Sequence, residues 1–187
     1  GQLTARPMKG TATRGVDPAS DAAQARWLEE DDKQRAENLM IVDLLRNDLS
    51  RVSQAGSVIV PDLFRVESYP TVHQLVSTVR ARVLPGLSPV DVLRVLFPCG
   101  SITGAPKMRA MEIIDAVEPH PRGVYTGAMG WIDPDSDAAF NVAIRTLCIE
   151  DGKGAARLGL GSGIVADSDG ASEWAECLAK SRFLCAA

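Results

Sequence analysis

Apolar positions 41, 44 and 45 fall three and four residues apart in a stretch rich in Ala, Gln, Glu, Leu and Arg, from about residue 21 to 48. That spacing brings side chains to one face of a helix, with Glu37 one turn before Ile41, and predicts a long helix ending near 47–50. Residues 1–16 carry basic groups, glycines and threonines (ARPMKGTATRG) without helical periodicity, and predict a strand end running into a loop. In SVIVPDLFRVESYP, β-branched residues alternate and prolines forbid a continuous helix, so one or two short strands are expected. VHQLVSTVRARV, after Pro70, reads as a helix, and so does VDVLRVLF, where Ser88 offers an N-cap and Pro89 the first helical position. CGSITGAPKMRAMEIIDAVE is a small-residue loop feeding a helix with Met108, Met111, Ile114 and Val117 at intervals of three. Three strand-like runs follow (VYTGAMGWI, AAFNVAIRTLCI and ARLGLGSGIV), separated by DPDSD and EDGKG; they predict an antiparallel meander, closed by a helix over about 171–184. Helices and strands in blocks, without βαβ alternation, predict an α+β fold: an antiparallel sheet with flanking helices.

Composition narrows the class. Of 187 residues, 45% are hydrophobic and 24% charged, with a net charge of −4. This is enough apolar material for a core and too little charge for disorder, at a length that suits one domain. Three Trp, two Tyr and four Phe, with no Lys/Arg block, supply neither the electrostatic footprint nor the stacking platforms of a nucleic-acid binder. No run approaches the roughly 18–20 apolar residues of a membrane span, and GQLTARPMKG lacks an apolar stretch after a basic start. Cys99, Cys148, Cys177 and Cys185 form no C-x-x-C pair, and there are only two histidines, which argues against a zinc site or disulfide framework and fits a reducing cytosol.

Several side chains are placed to do chemistry. Glu173, Glu176 and Lys180 stand at i, i+3 and i+7 of the closing helix and share one face, either as a solvated side with an internal ion pair or as hard oxygen donors for a cation such as Mg²⁺. In ENLMIVDLLRND, Asp43 interrupts an apolar helix and needs a partner such as Arg46. GSITGAP, with Lys107 and Arg109 beyond it, is either a capped turn or a loop and helix N-terminus able to take a carboxylate; G-x-x-x-x-G-K-[ST] is absent. Gly159, Gly161 and Gly163 alternate in LGLGSGIV and leave one face of the predicted strand bare for a ligand or another backbone, but no helix opens at once, which rejects a dinucleotide fingerprint. Arg145 alternates with Ala143 and Leu147 in an expected strand, facing either solvent or a cleft. His73, Tyr125 and Lys9, each alone, read as a satisfied histidine, a core tyrosine and a surface lysine.

Taken in order, ENLMIVDLLRND, HQLVSTV, GSITGAPKMRAMEIIDAVEPHPRGVYTGAMG, IRTL, GSGIVADSD and EWAECLAK resemble the chorismate-utilising enzymes, among them the anthranilate, aminodeoxychorismate, isochorismate and salicylate synthases. The resemblance runs from about residue 6 to 184. It implies that residues 1–187 form the C-terminal part of the chorismate-binding α/β sandwich. It also implies loss of the chorismate C4 hydroxyl, assisted by Mg²⁺, after an amine adds at C2. MKGT at residues 8–11 is the discriminating string: Lys9 stands where anthranilate synthases have alanine and where aminodeoxychorismate synthases have lysine. Lys9 is then the amine, ammonia from a glutamine amidotransferase partner enters at C4, and the product is 4-amino-4-deoxychorismate, on the way to para-aminobenzoate and folate. A desolvated or cation-flanked lysine is a better nucleophile, with Arg6 and Arg14 nearby to flank it.

The resemblance further implies Glu37, Glu173 and Glu176 as magnesium carboxylates. Arg145, Tyr125, Lys180 and the amides around Gly161, Ser162 and Gly163 hold substrate carboxylates, Ser101 and Thr103 are loop hydroxyls, and His73 lies beside the leaving hydroxyl. Two departures stand out. Gln34 occupies a position, one turn before Glu37, where relatives often carry an acid. Family members are more than twice this length, and the acid proposed as proton donor falls upstream of Gly1, so a C-terminal fragment is expected, with apolar surface exposed and activity dependent on the absent half. The competing readings are an anthranilate or isochorismate synthase, separated by Lys9, and a chorismate-binding fragment without turnover.

Overall fold

The computed structural model describes residues 1–149, 152, 154–166 and 168–181. By its internal contacts the chain divides into two units, Gly1–Glu112 and Ile113–Ala187.

In the first unit a four-stranded antiparallel sheet carries two helices. Its elements are β1 (Gln2–Ala5), β2 (Met8–Thr13), α1 (Pro18–Glu30), α2 (Asp32–Ser50), β3 (Ile59–Ser68), β4 (Val72–Arg82), α3 (Pro89–Leu96), α4 (Gly100–Thr103) and α5 (Lys107–Val117), the last of which crosses into the second unit. β4 is central. β3 follows one of its edges from Ile59↔Arg80 to Ser68↔His73, while β1 (Gln2↔Arg82) and β2 (Met8↔Val76) share the other, end to end. Val72–Arg82 is therefore a strand, where the sequence of residues 72–83 predicts a helix. Val72, Leu75, Val76, Val79 and Val83 fall at i, i+3, i+4, i+7 and i+11 and imitate a helical stripe, but the run is buried on both faces from Leu75 to Val79, as in a central strand. The predicted strand end at residues 1–16 is likewise two strands, since both find a partner edge on β4.

β3 is one ten-residue strand despite Pro61. Twice, three residue steps on β3 stand opposite two on β4, between Ile59 and Asp62 and between Asp62 and Arg65. Pro61 sits in the first of these bulges on an edge strand, where a missing N–H breaks no ladder bond. The expected single helix over 21–48 is two. α1 starts earlier, at Pro18, behind an Asp17 capping box with Ser20, and Asp31 both ends α1 and caps α2 by accepting from the Gln34 N–H at 2.9 Å. An aspartate whose side chain takes an orphan N–H offers the chain a new helix start, and that is preferred here to continuing the old one.

The core lies between the helices and one face of β4. Val42 and Leu49 of α2 pack with Val79 and Ala81, and Leu28 of α1 packs with Leu75 and Ala12. α3 begins as its sequence predicts, with Ser88 and Asp91 in a reciprocal capping box.

The second unit has β5 (Ala128–Ile132) paired with β6 (Ala138–Val142), β7 (Leu147–Ile149) paired with β8 (Ala156–Leu158), and α6 (Gly170–Ser181). In place of a meander there are two separate two-stranded sheets, because the run AAFNVAIRTLCI breaks at residues 143–146. Among the described residues of this unit only Ala143 and Thr126 are buried, and Trp131, Trp174, Ile149 and Ile164 are exposed. The predicted end of the last helix, residues 182–184, lies outside the described residues, as does Cys185. The other cysteines, Cys99, Cys148 and Cys177, are free thiols. No helix among the described residues is long and apolar enough to cross a membrane.

Candidate functional site

Lys9 sits on β2 where the strand gains a residue: three steps from Met8 to Thr11 stand opposite two on β4, from Val76 to Gln74. Its Nζ reaches the Glu37 carboxylate of α2 at 3.5 Å, with both side chains somewhat over one-third exposed. The expected flanking cations are engaged elsewhere. Arg6 pairs with Glu67, and Arg14 forks onto Asp21 through two bonds of 2.7 Å and donates to the Tyr69 carbonyl at 2.6 Å. Lys9 thus faces a carboxylate and not a second positive charge.

Asp21 is the hub beneath. It accepts from Arg14, from the Gly15 N–H at 2.8 Å and from His73 Nε2 at 2.9 Å. The Arg14 guanidinium first, and the Gly15 N–H next, hold its carboxyl well below the usual carboxylate range. His73 is 1% exposed, and its Nδ1 meets Ser68 Oγ at 2.9 Å. Because a carboxylate only accepts, Nε2–H points to Asp21, and in the neutral ring Ser68 donates to Nδ1. Both nitrogens are engaged, so the ring offers no free edge to a ligand.

The GSITGAP segment folds as α4 and a tight connection. Ser101 Oγ lies 3.0 Å from Cys99 Sγ, and Thr103 Oγ1 donates to the Cys99 carbonyl at 3.4 Å. Lys107 does not face outward as an anion-binding lysine beside this loop would. It pairs with buried Asp48 at 2.8 Å and donates to the Leu96 carbonyl at 3.3 Å, while Arg109 pairs with Glu112. Asp43 and Arg46 form the expected pair at 2.9 Å.

The second unit gathers another cluster. Lys180 bridges α6 and the glycine segment, pairing with Glu176 at 2.6 Å and donating to the Gly161 carbonyl at 2.9 Å. Glu173 Oε1 accepts from Ser168 at 2.7 Å, and the hydroxyls of Ser162 and then Ser168 hold this carboxyl below its ordinary value. Glu173 Oε2 is buried and accepts no hydrogen bond among the described residues. Gly159 and Gly161 lie past the end of β8, off any strand, and what comes close to them is Tyr125: a Cβ at Gly159 would stand 2.2 Å from Tyr125 Cγ, and one at Gly161 2.6 Å from its hydroxyl. Burial pushes the Tyr125 phenol up, against the opposing pull of the Arg122 guanidinium 5.8 Å from the ring centre. Arg145 is not in a strand. It is exposed on the bend between β6 and β7 at φ +50°, a left-handed conformation that strains a side chain with a Cβ.

The structure therefore brings Lys9 together with Glu37, and Tyr125 and Lys180 with Gly161; Glu173 lies with Ser162 and Ser168, and Glu176 with Lys180. No group of three or more His, Cys, Asp or Glu side chains gathers as a metal site among the described residues. On α6, Glu173 keeps a buried carboxylate oxygen with no hydrogen-bond partner among the described residues, a donor of the hard type that a cation such as Mg²⁺ takes. The sequence reading missed Asn38, whose amide holds the Lys9 carbonyl at 3.2 Å. The signal was present: residues 38, 41, 42, 45 and 49 form one helical stripe, headed by a polar residue.

The segments that bear these side chains recur in known proteins. The family model described as chorismate binding enzyme matches residues 1–186. Aminodeoxychorismate synthase component 1 of Klebsiella aerogenes is 50% identical over 96% of this chain and 40% of its own length. Anthranilate synthase component 1 of Streptomyces coelicolor is 49% identical over 96% of the chain and 35% of its own. The crystal structure of anthranilate synthase component I from Streptococcus pneumoniae superposes with a TM-score of 0.86 at 37% identity, covering 97% of this chain and 39% of that one. The chain thus spans well under half the length of each relative. A match across nearly every described residue, in sequence and in fold, has one reading: this chain belongs to the chorismate-binding enzyme family.

Proposed function

We propose that the chain carries the aminating chemistry of an aminodeoxychorismate synthase, turning chorismate and ammonia into 4-amino-4-deoxychorismate and water for para-aminobenzoate and folate synthesis. Overall identity does not choose between this and anthranilate synthesis, since relatives of both names match almost equally. The observation that carries the choice is Lys9, an amine directed from a bulged strand at a carboxylate 3.5 Å away. In this reading the Lys9 nitrogen bonds to C2, both double bonds of the ring diene shift towards C4, and the C4 hydroxyl departs as water once protonated. Ammonia then bonds to C4, both double bonds shift back, and the C2–nitrogen bond breaks to release Lys9. Glu37 is the nearest acceptor for the proton that the Lys9 ammonium must shed.

In this reading Arg145, Tyr125, Lys180 and the amides of Gly161–Gly163 supply cations and donors for the substrate carboxylates, and the Ser101 and Thr103 hydroxyls of the first unit are further donors. His73 enters as the ring that Asp21 and Ser68 lock into β4. Of the carboxylates assigned to magnesium by the resemblance, Glu173 and Glu176 would hold the ion on α6 and Glu37 is the candidate of the first unit; the ion would supply neutralisation of a substrate carboxylate's charge. Ammonia would come from a glutamine amidotransferase, in keeping with relatives named as one component of a synthase; a cytoplasmic setting is part of the same proposal. With chorismate and Mg²⁺ but no ammonia, intact mass should show an adduct that maps to the MKGT peptide and is absent with EDTA. Lys9→Ala should abolish amination at C4 while chorismate still binds. Failure to trap an adduct, together with a Lys9→Arg protein that makes 4-amino-4-deoxychorismate at near wild-type rate, would overturn the covalent role; anthranilate as product would overturn the pathway.

A further inference from the structure

We infer that Asn38 is the positioning residue of the Lys9 amine, fixing the direction in which that side chain leaves the sheet. The inference rests on the reading of Lys9 as nucleophile and deepens it.

A bulge leaves a residue out of the ladder and frees its backbone groups to turn. Here the extra residue falls at Lys9 and Gly10, and Asn38 takes up the backbone at that point. Its Nδ2 donates to the Lys9 carbonyl on β2 and to the Leu75 carbonyl on β4, each at 3.2 Å. Its Oδ1 accepts from Ser77 Oγ at 2.6 Å, and the same hydroxyl accepts from the Phe64 N–H of β3 at 3.1 Å. Asn38, fully buried, thus ties β2 to β4 across the bulge and, through Ser77, reaches β3. Gly10 closes the arrangement from the other side. It stands at φ +99°, and a Cβ there would meet Gln34 Oε1 at 3.0 Å and Leu75 Cβ at 3.1 Å, so α2 presses directly on the bulge. Glu37 and Asn38 are adjacent on α2 and face two ends of the same residue: Asn38 the Lys9 carbonyl, Glu37 its amine. A buried network with every member satisfied can hold a group to the tolerance that a reacting amine needs.

The test labels amines in the folded chain with limiting acetic anhydride and reads the ratio of Lys9 to Lys33 acetylation by peptide mass spectrometry, Lys33 being exposed on α2. Asn38→Ala should raise this ratio by about threefold or more, the factor that one lost hydrogen bond carries. Ser77→Ala, which spares the bonds to Lys9 and Leu75, and Val42→Ala, a core truncation of comparable cost, should leave it unchanged; a merely structural asparagine predicts the same ratio in all three. If Asn38→Ala does not melt cooperatively, Gly10→Ala, which distorts the bulge with Asn38 intact, should raise the ratio instead. An unchanged ratio in whichever variant folds overturns the inference. The readout does not depend on turnover, so a shifted ratio without any chorismate adduct would fault the nucleophile reading alone, and an adduct with an unshifted ratio would fault Asn38 alone.

Discussion

Removing the charge at Lys107 should destabilise the first unit far more than loss of a surface lysine. Lys107 Nζ meets Asp48 Oδ2 at 2.8 Å, the lysine side chain 19% and the aspartate side chain 6% exposed. Lys107→Met keeps chain length and apolar contact but strands the Asp48 carboxylate in the core and takes a donor from the Leu96 carbonyl. Breaking a buried pair from one side costs about 3–5 kcal/mol, and because Lys107 retains some water contact the lower end, about 3 kcal/mol, applies. For a unit of this size that lowers the midpoint of thermal unfolding by about 10 °C. Helical circular dichroism against temperature reads the shift. Asp48→Asn in the same chain should restore at least half of it, since the double variant leaves no orphaned charge. A Lys107→Met chain melting within about 1 °C of wild type would refute the reasoning and return Lys107 to the role of a free cation beside the GSITGAP loop.

Two further outcomes follow from the same kind of reasoning. Asp21 has its carboxyl lowered from 3.8 in the folded chain, so its contribution is fully present above the ordinary value and is lost as pH falls below about 4; the urea midpoint should drop less steeply between pH 5 and 2.5 in Asp21→Asn than in wild type, and parallel curves would remove Asp21 from its place as hub. Gly159→Ala places a Cβ inside the Tyr125 ring, so the ring must move, at a cost of about 1–3 kcal/mol; in a Tyr69→Phe background the Tyr125 phenol, now raised by burial, should titrate closer to its ordinary value of 10.0, and an unmoved titration would show the ring had stayed.

Where the sequence was legible, a local rule acted alone. Ser88-Pro89 starts α3 as read because capping is decided by neighbours in the chain. β4 misled because two periodicities coincide: its apolar residues at helical spacing lie in a strand that is central only because β1, β2 and β3 pair with its edges and α1 and α2 pack on one face, partners that the local run does not reveal. The break at Asp31 was local and readable, an aspartate ahead of Gln34 able to cap a new helix, but the apolar stripe farther on concealed it. Lys107 and Arg109 were correctly seen as cations near a glycine-rich turn, yet their partners depend on tertiary placement. Of the alternating glycines, Gly159 and Gly161 lie at a close approach, but off any strand and against a side chain, Tyr125, in place of the ligand or backbone expected on a strand face. Asn38 was the informative omission, because a polar residue heading a buried stripe has to be hydrogen-bonded in all directions, and where those bonds go says what it holds.

The two units hold their reactive groups by different means. Lys9 is carried by the sheet: its main chain is fixed by a buried amide, its strand is packed on Leu75 and Leu28, and its direction follows from a bulge that only glycine fits at φ +99°. Glu173, Glu176 and Lys180 are carried by α6, where none of the twelve helix residues is buried, so their mutual geometry comes from helix spacing and from the Lys180 bond to Gly161. A nucleophile must meet one carbon within tenths of an ångström, whereas carboxylates and ammonium groups that bind charge act over longer range and tolerate more motion. Under the proposed roles the placement fits that division: the Lys9 amine is on the part of the fold with the deepest core, and Glu173, Glu176 and Lys180 are on the part with the shallowest. By the same logic, core truncations at Leu28 or Leu75 should act on the rate of any reaction Lys9 performs, and changes on α6 chiefly on affinity.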